Sequence, residues 1–312
     1  MKEHYPLAII GSGPAGMSAA KVAAEHGLDT ILIDEQIMPG GQIYRKIETI
    51  PPGRAALLGE EYQRGRTLVD DLRESGVYYL ANGQVWSVSR QGKIGLVHND
   101  TAYMISADRV ILATGAMERA IPFQDWTLPG VMYAGAGQIM FKAHGMVPDN
   151  GVVMAGSGPL LLLLAWQYLH AGVKIDAILD LTPIQNHLRA LPHLPRAMLA
   201  RHYLSKGLAY KKDLKQAGVK TYRSVSELRA QGDLQLSSDS FKHKAREVKL
   251  DTELLLVHFG VIPNTHLSRA AGCNHAWDRS QQCWRPVIDR WGRSTVERIL
   301  IAGDSGGIVG AR

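Results

Sequence analysis

The chain has 312 residues, 46% hydrophobic and 21% charged, which is enough for two domains with sizeable cores. Lys and Arg number 35 against 29 Asp and Glu, for a net charge of +6, but the basic residues do not cluster with aromatics on a nucleic-acid module, so nucleic acid is not an expected partner. Only two cysteines, Cys273 and Cys283, are present and no C-x-x-C occurs, which excludes a disulfide framework and a dithiol redox centre and leaves two reduced thiols.

The opening "MKEHYPLAII" is too short an apolar run for a signal peptide, and "PLLLLLAW" (159–166) is far below the roughly 20 residues of a membrane span. A cytoplasmic protein is expected, docking to a membrane only through a partner. "PLAII" (6–10) predicts a buried parallel strand, "PAGMSAAKVAAEHG" (14–27) a helix closed by Gly27, and "DTILIDE" (29–35) the next strand. Residues 77–115, rich in β-branched and aromatic residues, predict a meander and a last buried strand. "GVVMAG" (151–156), "PLLLLLAWQYLHAG" (159–172) and "VKIDAILD" (173–180) repeat the strand, turn, helix, strand order about 145 residues later. The basic stretches 206–220 and 241–249 are broken by apolar residues at amphipathic spacing and predict solvated element faces. "ERILIAGDSGGIVGAR" (297–312) predicts another apolar strand running into a glycine-rich turn.

The expected fold is α/β, with two Rossmann-like dinucleotide-binding domains, the second inserted into the first. The boundaries are placed at 1–118 with 250–312 for the first domain and 119–249 for the second.

"GSGPAG" (11–16) carries the chemistry most directly. Gly11 suits a tight turn, Gly13 lets a pyrophosphate approach the backbone, and Gly16 allows the helix to pack on the strand. Pro14 and Ala15 open the helix, whose free N–H groups and positive dipole end face the phosphates. Asp34, 18 residues past Gly16, or its neighbour Glu35, is the expected acceptor for ribose hydroxyls. "PGGQIYR" (39–45) contributes Gly41, Gln42 and Arg45. "ILATG" (111–115) contributes Ala113, Thr114 and Gly115, and "ILIAGD" (299–304) contributes Gly303 and Asp304, an acid placed for a ribityl or ribose hydroxyl.

In this order the motifs resemble the two-dinucleotide-domain flavoprotein reductases, the pyridine nucleotide-disulfide oxidoreductase-like superfamily. Residues 113–138, 156–165 and 260–294 are similar to the FAD-binding subunits, A or alpha, of heteromeric amine and amino acid dehydrogenases of the opine oxidase, D-hydroxyproline dehydrogenase and hydrogen cyanide synthase type. The resemblance implies FAD contacts at Gly11, Gly13, Gly16, Asp34 or Glu35, Gly41, Gln42, Arg45, Val85, Thr114, Gly115, Gly303 and Asp304. It also implies a second flavoprotein as the partner subunit, a small amine or amino acid as substrate, and catalytic acid-base residues on that other chain. Thioredoxin reductases share the layout but carry a cysteine pair where this chain reads "MYAGAG" (132–137). In the resembled family a helix and a cysteine-rich iron-sulfur portion follow the "AGD" turn, so a cluster is implied only with such a C-terminal part; the sequence stops at Arg312.

The second turn reads "GSGPLL" (156–161). Gly156, Ser157, Gly158 and Pro159 keep a phosphate-compatible turn, and Asp180 stands where a ribose acceptor would, favouring NAD over NADP. Leu161 in place of the third glycine predicts a scaffold, or an adenine-nucleotide site without hydride transfer. Two alternatives stay open: a self-contained NADH-dependent reductase of a small acceptor, and a non-catalytic nucleotide-binding assembly subunit. No histidine pair has metal-ligand spacing, and "HLRALPH" (187–193) has poor geometry for one helix face, so no metal is expected. His144, His258, His266 and His275 read as structural or surface groups. Ser12, Ser157 and Ser305 lie outside any G-x-S-x-G arrangement.

Overall fold

A computed structural model of the chain describes residues 1–190, 192 and 201–308. The side chains of His187 and His193, and the chain end at Arg312, lie outside the described residues. The chain forms two compact units, Met1–Met117 with Val261–Arg312, and Glu118–Gly260.

The first unit starts with β1 (His4–Ile10), α1 (Pro14–Glu25) and β2 (Thr30–Ile33). It continues through α2 (Pro52–Leu58), α3 (Glu60–Gln63) and α4 (Gly65–Glu74) to β3 (Tyr78–Leu80), β4 (Gln84–Val88), β5 (Lys93–His98), β6 (Thr101–Leu112) and β7 (Ala116–Glu118). Its sheet runs β3-β2-β1-β6-β5-β4. β3 pairs in parallel with β2 and is not part of the meander, which is β4, β5 and β6 alone. The parallel strands are buried on both faces, as a helix-covered sheet requires, so they read as continuous apolar runs. Ile10 stands opposite Ile33 on one side and Leu112 on the other, which aligns the carboxyl ends of three strands.

The second unit comprises β8 (Val131–Tyr133), α5 (Ala134–His144), β9 (Val152–Gly156), α6 (Pro159–His170), β10 (Ile175–Asp180), α7 (Ile184–Ala190) and α8 (Arg201–Gln216). β11 (Lys220–Arg223), β12 (Ser226–Gly232), β13 (Leu236–His243), β14 (Arg246–Asp251) and β15 (Leu255–His258) complete it. A parallel sheet ordered β11-β10-β9-β15-β8 lies beside an antiparallel sheet β12-β13-β14. Val153, Ala155, Leu179, Leu236, Phe241 and Val257 form their shared core. The basic stretches fall on α8 and on β13 and β14.

The chain then returns to the first unit through β16 (Val261–Pro263), α9 (His266–Ala270), β17 (His275–Asp278), β18 (Cys283–Pro286) and β19 (Ile299–Ile301). β19 adds to β6 in parallel, with Ile301 opposite Leu112. The second boundary therefore lies at 260/261 and not near 250. β15 pairs with β8 and β9, and it carries the second unit's chain to Gly260.

Candidate nucleotide-binding sites

In the first unit the turn after β1 is shaped by the chain's own packing. Gly11 has φ +103°, and a Cβ there would strike the Ala113 carbonyl; a Cβ on Gly16 would overlap the Gly11 carbonyl. Gly13 differs. Its φ of −69° suits any residue, and a Cβ would meet only the Gly41 Cα, at 4.0 Å. The space beside Gly13 is thus left open at the start of α1. Met17 N–H closes the first helical bond on the Gly13 carbonyl at 2.9 Å, so the N–H groups of Ala15 and Gly16 precede it with no helical acceptor. Pro14, at the first helical position, has no N–H to satisfy.

Other segments converge on this turn. Gly40 N–H donates to the Ser12 carbonyl at 2.9 Å, which lays the "PGG" loop along it, and a Cβ on Gly41 would come 2.9 Å from the Gly13 Cα. Ala113 N–H donates to Ile10 at 2.8 Å. Thr114 Oγ1 donates to the Asn264 carbonyl at 3.2 Å, and Asn264 N–H to the Gly115 carbonyl at 2.9 Å. A 3-10 turn, Gly303–Gly306, brings Gly303 so close to α1 that a Cβ would lie 2.7 Å from that of Ala15. Ser305 Oγ pins this turn to the Leu112 and Ala302 carbonyls at 3.1 and 2.8 Å. Asp304 sits in it, partly exposed.

The two acids at the end of β2 have different positions. Asp34 is 8% exposed, and its Oδ2 accepts from Ser12 N–H at 2.5 Å and Ser12 Oγ at 2.7 Å, while Oδ1 accepts from Gln36 N–H at 2.7 Å. Its carboxylate is engaged in holding the turn, whereas Glu35 is exposed beside it and accepts only from Gln36 Nε2, at 3.4 Å, among the described residues. Ser12, fully buried, ties the turn to β2, a role that sequence reasoning missed; a serine inside the turn with an acid at the end of the next strand was the available signal.

Gln42 is exposed and accepts from Arg45 Nη2 at 3.0 Å, whereas Arg45 Nε is buried without a hydrogen-bond partner among the described residues. The same loop is braced from α4, where Arg73 forks onto Glu48 with two 3.0 Å bonds and lies 5.4 Å over the Tyr79 ring. Burial, opposed in part by the neighbouring Ser12 hydroxyl, pushes the Tyr79 hydroxyl up to about 12, so it stays a donor, to the Gln36 carbonyl at 3.2 Å. Val85 packs half-buried on the core in β4, just past Gly83, whose N–H donates to the Asp34 carbonyl at 2.8 Å.

In the second unit the repeated motif takes another path. Gly158 has φ +95°, a value that glycine alone accepts readily, where its counterpart Gly13 has −69°. Leu161 is 2% exposed. A branched side chain at the position where α1 has Gly16 keeps α6 from approaching its turn as α1 does. Ser157 N–H donates to the His258 carbonyl at 3.0 Å and makes no bond to Asp180. Asp180 Oδ1 accepts from Thr182 N–H at 2.9 Å, and Oδ2 has no partner among the described residues. Pro159 is exposed at the start of α6. Buried His258 is held by Glu118, Nδ1 to Oε2 at 2.9 Å, and Glu118 Oε1 accepts from Gly135 N–H at 2.8 Å at the start of α5. His258 is therefore a satisfied structural group.

Residues 5–309 match the pyridine nucleotide-disulphide oxidoreductase family. The chain belongs to that family. It is 38% identical over its whole length to the A-subunit of opine oxidase from Agrobacterium tumefaciens, covering 63% of that protein, and 32% identical to the hydrogen cyanide synthase subunit HcnB of Pseudomonas aeruginosa, with 97% of this chain and 66% of that one aligned. It thus spans about two thirds of the length of these relatives. Among solved structures, L-proline dehydrogenase from P. horikoshii superposes with a TM-score of 0.69 at 19% identity, covering 98% of this chain and 51% of that one. T. acidophilum thioredoxin reductase gives the same score and identity over 99% and 93%. These two likenesses establish the shared fold. No helix among the described residues is long and apolar enough to cross a membrane.

Proposed function

We propose that this chain forms the FAD-binding part of a heteromeric flavin-dependent oxidoreductase that dehydrogenates the C–N bond of an amine or amino acid. The observation that carries the reading is Gly13 at the start of α1: its φ of −69° suits any residue and a Cβ there would meet nothing nearer than 4.0 Å, so its missing side chain answers no demand of the fold and leaves room for a pyrophosphate. Bound FAD would supply two-electron redox chemistry. The N–H groups of Ala15 and Gly16 would hold the pyrophosphate at the positive end of α1, a helix of 12 residues. Glu35 would accept from the ribose hydroxyls and Asp304 from a ribityl hydroxyl. Gln42, Arg45, Thr114 and Gly115 would line the remainder, where the orphaned Arg45 Nε would find an acceptor.

The names of the relatives support C–N substrates and a partner chain. They are subunits of an opine oxidase, of a hydrogen cyanide synthase and, at 31% identity over 58% of this chain, of a sarcosine oxidase of Rhizobium meliloti. The general acid and base are assigned to that partner, a second flavoprotein. The second unit serves as scaffold or adenine-nucleotide site, because buried Leu161 keeps α6 off its turn. Cytoplasmic placement follows as part of the same reading.

Gly13→Val tests the cradle. FAD titration of the apoprotein, followed by flavin fluorescence quenching, is expected to show at least a tenfold loss with an unchanged far-UV CD spectrum. Unchanged FAD affinity in that variant would place the cofactor elsewhere.

A further inference from the structure

Half of the chain's six tryptophans, Trp277, Trp284 and Trp291, fall within residues 277–291, and they are 46%, 49% and 66% exposed. Tryptophan is highly buried on average, so three in the open along one segment mark a surface built for contact. Two of them share a face. Trp277 of β17 stands opposite Trp284 of β18, and the rings meet edge to face, with centroids 5.7 Å apart at 72°. Arg269 of α9 lies 5.7 Å over the Trp284 ring and adds a guanidinium to the rim. Trp291 sits in the next tight turn, with the Arg290 guanidinium 5.0 Å from its ring centre.

The hairpin is braced and its own acids are engaged. Asp278 Oδ1 accepts from Ser280 N–H and Oγ at 2.8 and 2.6 Å and from Gln281 N–H at 3.0 Å, while Oδ2 pairs with Arg285 Nε at 3.1 Å. The Gln281 side chain clasps the Ile308 main chain, donating to its carbonyl at 2.8 Å and accepting from its N–H at 3.1 Å. In the following turn Asp289 Oδ1 accepts from Trp291 N–H at 2.8 Å and Arg293 N–H at 2.9 Å. Among the described residues no carboxylate pairs with Arg269, Arg279, Arg290 or Arg293, and all four are exposed. The hairpin thus presents fixed aromatic area with a positive rim, and a face already ordered gives up little conformational entropy on binding.

Three kinds of occupant take exposed aromatic faces. A second copy of this chain would set one positive rim against another across a two-fold axis, a repulsive pairing. A lipid surface would be met first by the hairpin tip, residues 279–282, which is polar, with the two indoles set behind it. A protein segment that brings a carboxylate to Arg269 and an apolar side chain to the indole pair satisfies both features: carboxylates match the guanidinium fork, and Trp with Arg are the residues that anchor interfaces. We propose that the Trp277–Trp284 face of the β17–β18 hairpin, with Arg269 at its rim, docks an acidic segment of a partner protein. Identifying that partner with the second flavoprotein rests on the function proposed above; the chemistry of the surface does not.

Fluorescence anisotropy with the full chain compares two fluorescein-labelled amphipathic peptides of leucine, alanine and one charged residue type, glutamate in the first and lysine in the second. The glutamate peptide is expected to bind at least tenfold tighter than the lysine peptide and to weaken as salt is raised. Trp277→Ala with Trp284→Ala, and separately Arg269→Glu, should each weaken it at least tenfold. A control that removes an exposed apolar side chain and a cation from α8, Leu208→Ala with Lys211→Gln, should leave it unchanged. Equal binding of the two peptides, equal binding by wild type and both hairpin variants, a loss that the control shares, or no binding at millimolar concentration overturns the proposal. Where the glutamate peptide does not bind, a dimer in light scattering that the tryptophan variant abolishes assigns the face to a second copy, and phosphatidylserine vesicles lost by that variant assign it to lipid. The 450 nm absorbance of the same samples reports separately on the flavin. Glutamate-peptide binding by a chain that takes up no FAD refutes the proposed function and leaves this face standing, and an FAD-loaded chain that binds neither peptide does the reverse.

Discussion

Replacing Asp34 and Glu35 one at a time should separate holding the turn from holding the nucleotide. Asp34→Ala removes the acceptor of Ser12 N–H and Ser12 Oγ, and Ser12 is 0% exposed, so neither donor can turn to water. An unsatisfied buried donor costs about 1–3 kcal/mol, and two of them together about 2–6 kcal/mol. For a unit of this size each kcal/mol lowers Tm by roughly 2–4 °C, so a loss of roughly 4–24 °C is expected in the apoprotein by circular dichroism. Glu35 is exposed, its one hydrogen bond is a 3.4 Å contact from Gln36, and Glu35→Ala should leave apoprotein Tm within about 1 °C. It should instead weaken FAD by roughly 10–100-fold, the worth of one charge-assisted bond to ribose at about 1.5–3 kcal/mol. A stable Asp34→Ala protein that has lost FAD, beside a Glu35→Ala protein that keeps it, would refute this partition.

Asp239 in β13 is fully buried, neither carboxylate oxygen has a partner among the described residues, and burial pushes its pKa up to about 7 from near 3.8. The folded chain holds this proton more tightly than the unfolded chain, so stability falls as pH rises between about 4 and 7 and is level above; about three pH units at ~1.4 kcal/mol each cap the loss near about 4 kcal/mol. Urea unfolding of Asp239→Asn should show the variant gaining on wild type from pH 5 to pH 8, and parallel curves would contradict this. Leu161→Gly should not restore a hydride-transfer site: it should cost at least about 3 kcal/mol in thermal or urea unfolding, from the cavity and the helix interior, without conferring NADH oxidation. The isolated chain should turn over amino acids at a negligible rate with a dye acceptor, and rapid turnover would place the acid and base on this chain.

Much of this was legible in the sequence because its signals are local. A strand running into "GSGPAG" and then an alanine-rich helix specifies one βαβ unit by itself, and its repetition at "GSGPLL" specifies the second. The boundary near 250 was misplaced because β15 is a four-residue apolar strand whose partners, β8 and β9, lie about 100 residues earlier, and pairing at that range leaves no mark on composition. β3 was assigned to the meander for the same reason: its parallel pairing with β2 is not coded in "VYYL". The roles of Asp34 and Glu35 were left open because adjacent acids at a strand end differ only in which way each side chain points. Asp239 lies in "LSSDSF", which reads as polar and exposed until the sheet is built over it.

The central claim is that the first unit binds FAD and awaits electrons from a partner, and the visible spectrum of the purified chain, repeated after anaerobic NADH, tests it most directly. Flavin bands near 450 nm that NADH does not bleach are the expected result. A colourless protein that retains no flavin after incubation with FAD and gel filtration, or flavin bands bleached rapidly by NADH, would contradict it.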